Sequence, residues 1–105
     1  MRILLACGGG MSSSLLAQNL VEEAKKNGNN DLYVQATSTE NVPLNLQQET
    51  WDALLLAPQV AFRKEHLEGE AAPYGIPVIP IDGLMYTPMG APALYQEIMK
   101  KTGAK

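Results

Sequence analysis

The sequence predicts an α/β fold, a single-domain four-stranded parallel sheet with helices on both faces, and three observations lead there. Short apolar runs recur along the chain, at residues 3–6, 51–57 and 77–81, each too short for a helix and flanked by turn-forming residues. Between them lie stretches with helical periodicity, so strands and helices alternate, which implies right-handed crossovers and a parallel sheet. The first run ends in Cys7-Gly8-Gly9-Gly10-Met11-Ser12-Ser13-Ser14, a glycine-rich turn that opens directly into an amphipathic segment.

In chain order, residues 2–6 read as a central strand, apolar without alternation because both faces are covered. A helix is expected from about Ser12, with Leu16, Leu20 and Ala24 inward, and Glu22 and Lys26 four residues apart on the outer side; Asn27-Gly28-Asn29-Asn30 ends it. Residues 32–37 alternate and are β-prone, as in a half-covered strand at the sheet edge. Residues 38–50 are polar and contain Pro43, so a loop with about one helical turn is expected there. Residues 51–57 form another buried strand, closed by Pro58. Residues 60–72 are amphipathic and charged, and Pro73-Tyr74-Gly75 stops them before a fourth strand at 77–81. A final helix over 91–101 turns Leu94, Ile98 and Met99 inward.

Length and composition fix the class. The chain has 105 residues, 46% of them hydrophobic, which suffices for one core and not for two. Eight scattered basic residues and a net charge of −3 exclude a nucleic-acid surface, which needs a basic stripe. No apolar run reaches membrane-spanning length. Leu4-Leu5-Ala6-Cys7 imitates a lipoprotein processing site, but the six residues ahead of the cysteine are too few for a secretory signal. The single cysteine fits a reducing compartment and is available for chemistry. A cytoplasmic protein follows, with no direct membrane insertion, no metal and no cofactor expected.

The loop after strand 1 carries the chemistry. Three glycines let the backbone turn its N–H groups inward, and the following helix adds partial positive charge, so residues 8–14 (Gly8, Gly9, Gly10, Met11, Ser12, Ser13, Ser14) form a candidate phosphate-binding cradle. The first acidic residue is Glu22, leaving the opening helical turn without its usual carboxylate. Cys7 at the mouth of the cradle is the candidate nucleophile, since aligned amide donors stabilise a thiolate. Known loops of this kind fit unevenly. A Walker loop needs Lys after its last glycine, where Met11 stands; a dinucleotide fingerprint needs Gly or Ala where Ser13 stands; a redox pair needs a second cysteine. Low-molecular-weight tyrosine phosphatases and arsenate reductases use Cys-x5-Arg, whose guanidinium clamps the phosphoryl group, and the arginine position here is Ser13. Backbone and hydroxyl donors alone favour holding a phosphocysteine over hydrolysing it. A relative of those enzymes and a non-catalytic anion-binding regulatory domain are the alternatives.

Residues 7–16, CGGGMSSSLL, resemble the CSAGMSTSLL loop of the enzyme IIB components of the lactose/cellobiose/chitobiose class of phosphoenolpyruvate-dependent sugar phosphotransferase systems. Residues 55–62 and 77–82 are similar to the third and fourth strands of that family with their following loops, so the likeness spans nearly the whole chain. Gly8 and Gly9 stand where Ser-Ala is usual, and Ala57 where Gly is usual. The resemblance implies a phosphocysteine at Cys7, loaded from a histidine of enzyme IIA and discharged to a sugar, a β-linked disaccharide such as lactose, cellobiose or chitobiose, bound by the membrane component IIC.

Other candidates are weaker. Met11, Gln59, Met85 and Tyr86 are docking candidates at the expected site edge; Met11, Met85 and Met89 are equally well read as core filler. Asp82 reads as a loop residue bonded to its neighbours in preference to a general acid. His66, set among Arg63, Lys64, Glu65, Glu68 and Glu70, reads as a solvated helix-face residue.

Overall fold

Ile3, Leu4, Leu5 and Ala6 are wholly buried, as are Ala53, Leu54, Leu55 and Leu56. Side chains that leave water on both faces of a strand require covering layers on both sides, and the computed structural model has them. It describes residues 1–7, 11–83, 85 and 88–103, without the side chains of 11–14 and 88. Four strands, β1 (Arg2–Cys7), β2 (Tyr33–Ser38), β3 (Ala53–Leu56) and β4 (Val78–Pro80), form one parallel sheet in the order β2-β1-β3-β4. The helices are α1 (Met11–Lys26), α2 (Val42–Gln48), α3 (Lys64–Ala71) and α4 (Ala91–Thr102), with tighter 3₁₀ turns at Thr39–Asn41, Pro58–Arg63, Ala72–Tyr74 and Pro88–Gly90.

One core lies between the sheet and α1 with α4, where Ile3, Leu5 and Leu55 meet Leu16, Leu20 and Ile98. The other lies against α2 and α3, where Leu4, Leu54 and Leu56 meet Val42, Leu46 and Leu67. Helix ends follow local chemistry: α1 closes at Gly28, φ +84°, whose N–H bonds Lys25 O at 3.0 Å while Asn29 N–H bonds Ala24 O at 2.8 Å. Gly103 ends α4 in the same left-handed conformation.

The edge position of β2, the inward stripe of α1 and the bounds of α4 agree with the sequence reading to within a residue or two. Residues 38–50 do not: they contain a full helix, α2, in which Pro43 lies in the first turn. There its missing N–H forfeits no intrahelical bond and its fixed φ suits the helix, so the proline read as a breaker is a starter. The runs at 51–57 and 77–81 are longer than the strands in them, because Trp51, Ala57 and Ile81 are buried without belonging to the ladder.

Opposite the carboxyl edge, the strands are tied together by Arg2. Its guanidinium lies 4.8 Å from the ring centroids of both Tyr33 and Trp51, its Nη2 is 2.9 Å from Glu49 Oε1, and its Nε donates to Thr50 O at 3.0 Å. Residues from the starts of β1 and β2 and from the approach to β3 thus converge on one cation.

Candidate functional site at the carboxyl edge of the sheet

Parallel strands all present their carboxyl ends on one side, and ligands of such sheets bind there. The register places Ala6 beside Thr37 and Leu56, and Leu56 beside Pro80. Beyond the last rungs, Ala57 N–H bonds Ala6 O and Ile81 N–H bonds Leu56 O, both at 2.9 Å. The chain therefore leaves β1, β3 and β4 at one level, as the sequence implied.

Cys7 is the last residue of β1, paired with Ser38. Its side chain is 5% exposed, and its thiol donates to Thr37 O at 3.3 Å. Helix α1 starts at Met11, so three residues separate the cysteine from the first helical residue. No acid occupies the first turn of α1, and Lys25 and Lys26 occupy its last, so its positive pole is uncompensated at the end that follows Cys7.

Of the other expected cradle residues, Gly8, Gly9 and Gly10 lie outside the described residues; Met11, Ser12, Ser13 and Ser14 form the first turn of α1, and their side chains lie outside too. Gln59 is exposed in the turn after β3. Met85 is half-buried, packed against the core on the α1 side, and Tyr86 lies outside the described residues. Asp82 is exposed, and its Oδ1 accepts the Met85 N–H at 2.8 Å, the local turn bond expected of it. His66 is on the outer face of α3, its Nε2 3.7 Å from Glu70 Oε2, as the sequence suggested.

Two features escaped the sequence. The first is a hydrogen-bonded chain behind Cys7: the Thr37 hydroxyl donates to Asn45 Oδ1 at 2.7 Å, and Asn45 O accepts the Trp51 indole N–H at 2.9 Å. Residues far apart in sequence build it, and only the placement of α2 against the end of β2 reveals it. The second is a set of exposed large apolar side chains on the connections that leave the carboxyl edge: Leu15 on α1, Leu44 on α2 and Phe62 after β3, the last 82% exposed. Leu15 lies off the inward stripe Leu16-Leu20-Ala24, and Phe62 stands directly before the charged stretch that begins at Arg63; those positions were the available signal. Met89 is also exposed, in the turn before α4, and lines a shallow depression with Asn19, Glu22 and Lys26.

Comparison with known proteins is consistent with this architecture. Residues 2–97 match the family described as "PTS system, Lactose/Cellobiose specific IIB subunit". The chain is 33% identical over 98 residues to the oligo-beta-mannoside-specific EIIB component of Bacillus subtilis (strain 168), covering 93% of this chain and 92% of that protein. The solution structure of the cellobiose-specific phosphotransferase IIB component from Borrelia burgdorferi superposes with a TM-score of 0.74 at 33% identity, covering 98% of this chain and 92% of that one. The lactose-specific IIB domain from Streptococcus pneumoniae superposes with a TM-score of 0.83 over 96% of both chains, and at 19% identity it speaks for the fold alone.

Proposed function

The chain belongs to the lactose/cellobiose-specific IIB family of sugar phosphotransferase systems, a phosphoryl carrier and phosphotransferase, and from that premise we propose that Cys7 is the residue that carries the phosphoryl group. The observation that carries the reading is the position of Cys7: it closes the central strand at the carboxyl edge, four positions ahead of a 16-residue helix with no acid in its first turn. In the loading step the Cys7 sulfur attacks the phosphorus of a phosphohistidine on enzyme IIA. The S–P bond forms, the P–N bond breaks, the thiol gives up its proton and the leaving imidazole nitrogen takes one up. In the unloading step a hydroxyl of a sugar bound by the membrane component IIC attacks the phosphorus, the S–P bond breaks, and a proton returns to sulfur.

The chain's part in both steps is positioning and charge stabilisation. Residues 8–14 supply backbone N–H and serine hydroxyl donors to the phosphoryl oxygens, and the pole of α1 adds to them without moving. Ser13 stands where a phosphatase holds arginine, so charge stabilisation for water attack is weaker and the phosphocysteine survives until a partner takes it. Enzymes IIA and IIC meet the same face, on which Leu15, Leu44 and Phe62 join Met11, Gln59, Met85 and Tyr86 in excluding water from the transferring group. The sugar is a β-linked disaccharide; the relatives named above are specific for different sugars, in keeping with recognition by IIC. Among the described residues no helix is long and apolar enough to cross a membrane, and residues 1–105 are read as one cytoplasmic domain.

The test is incubation with phosphorylated IIA, followed by mass spectrometry. Wild type should gain one phosphoryl group on Cys7 and Cys7→Ser none, with slow hydrolysis in the wild type. Brisk cleavage of an aryl phosphate with no detectable phosphoprotein would replace the carrier with a phosphatase.

A further inference from the structure

Cys7 breaks the alternation of its own strand. Ile3 and Leu5 face α1 and α4, whereas Leu4 and Ala6 face α2 and α3; Cys7 is due on the first side and is packed on the second. There the thiol donates a hydrogen bond to Thr37 O, the Thr37 hydroxyl donates to Asn45 Oδ1, and the backbone carbonyl of Asn45 accepts from the Trp51 indole N–H. This place suits a neutral donor. It does not suit a phosphocysteine, which has no S–H to donate, would turn its anionic oxygens toward a carbonyl oxygen, and would bury charge in the apolar cluster that contains Val42 and Ala57.

We propose that Thr37 and Asn45 hold the unphosphorylated Cys7 thiol in an inward position that the side chain leaves on phosphorylation, so that Asn45 is a positioning residue through which the phosphorylation state of Cys7 reaches α2. The proposal rests on the reading of Cys7 as the phosphoryl acceptor. During loading the sulfur departs from Thr37 O and loses its proton as the S–P bond forms; after unloading the thiol is reprotonated and returns. Helix α2 also bears the exposed Leu44 on the docking face. Loaded and unloaded chains thus differ in how α2 is tied down. A partner that senses the difference can favour one form by no more than its differential affinity for the two.

Because Cys7 is the only cysteine, its S–H stretching band in the infrared reports this one group. In wild type the band should lie at the low frequency of a hydrogen-bonded thiol. Thr37→Val, which removes the hydroxyl at nearly constant volume, and Asn45→Ala leave Thr37 O in place but untie the backbone that presents it to the thiol, so both should raise and broaden the band and should speed alkylation by iodoacetamide about two- to threefold, as expected for weakening of a modest hydrogen bond. Thr37→Ser and Asn45→Asp, which keep donor and acceptor, should restore both readouts. A band that stays put in Thr37→Val and Asn45→Ala while their melting temperatures fall would mean that the pair is merely structural, and would overturn the proposal. In the NMR spectrum of wild type loaded by phosphorylated IIA, the Asn45 side-chain amide and the Thr37 carbonyl should shift. Loaded Cys7 with both resonances unmoved overturns the proposal and leaves the carrier reading standing. Absence of phosphate on Cys7, seen by mass spectrometry of the same sample, removes the carrier reading and the proposal with it.

Discussion

Phe62→Ala separates docking from folding, because the two make opposite demands on the same ring. The side chain is 82% exposed in the isolated chain, so little of its area is protected from water by folding, and surface changes of this kind alter stability by no more than about 0.5 kcal/mol. Melting temperature should be nearly unchanged. In the complex the ring is to be covered by a partner. Full burial of a phenylalanine side chain is worth about 1.5–3 kcal/mol, and an interface that covers roughly half to two thirds of it leaves about 1–2 kcal/mol. At about 1.4 kcal/mol for each tenfold, the variant should bind phosphorylated IIA roughly 5- to 30-fold more weakly.

The assay is the rate of phosphoryl transfer from IIA at varied concentration. The chemistry proposed for Cys7 is untouched, so KM should rise by that factor while kcat is held. Tyr74→Ala is the control, since Tyr74 is 47% exposed but immediately precedes the segment that enters β4, at the opposite edge of the sheet. It should leave KM where it was. Equal KM for Phe62→Ala and wild type, or an equal loss in both variants, would refute the assignment of the carboxyl-edge face.

Arg2→Ala removes an ion pair, a hydrogen bond and two ring contacts; with the side chain 38% exposed, each is discounted, and about 1–2 kcal/mol of stability should go. Urea titration should show that loss with the phosphoryl-transfer rate unaltered. Gly69→Ala should do the reverse in sign: Gly69 lies inside α3 with nothing within 4 Å of an added Cβ, so the protein should gain about 0.5–1 kcal/mol, read by the same titration. Ser13→Arg places a guanidinium where a phosphatase has one, and should shorten the lifetime of the phosphocysteine, followed by loss of the phosphoryl group in mass spectra; an unchanged lifetime would mean that the side chain does not reach the phosphoryl oxygens.

The sheet was legible because burial on both faces writes itself as uninterrupted apolar runs, and the length of these runs suits strands and not helices. Residues 3–6 and 53–56 fit the description and are strands. Where the reading overran, at Trp51 and Ala57, the cause was that burial and ladder pairing are different constraints: both residues are buried and neither is in a strand. Helix α2 was missed for a different reason. Its buried residues Val42 and Leu46 are four apart, as a helix requires, but only two of its seven residues are buried, and Pro43 outweighed so short a stripe.

The site divides along the same line. The residues proposed to hold the phosphoryl group, Cys7 with the glycines and serines after it, are contiguous, because a loop that cradles an anion with backbone donors is one piece of chain. What holds the thiol is not contiguous. Thr37 lies 30 residues from Cys7, and Asn45 lies eight from Thr37; neither residue type at either position signals anything until β2 pairs with β1 and α2 folds back on its end. Asn45 meets Thr37 only because α2 exists, and α2 is the one element whose helix the sequence hid. A reading that leaves residues 38–50 as a loop with about one helical turn necessarily loses the contacts that lie behind the Cys7 thiol. That asymmetry is physical: the groups proposed to touch the phosphoryl group belong to one stretch of chain, and the groups behind the Cys7 sulfur are brought there by packing between elements.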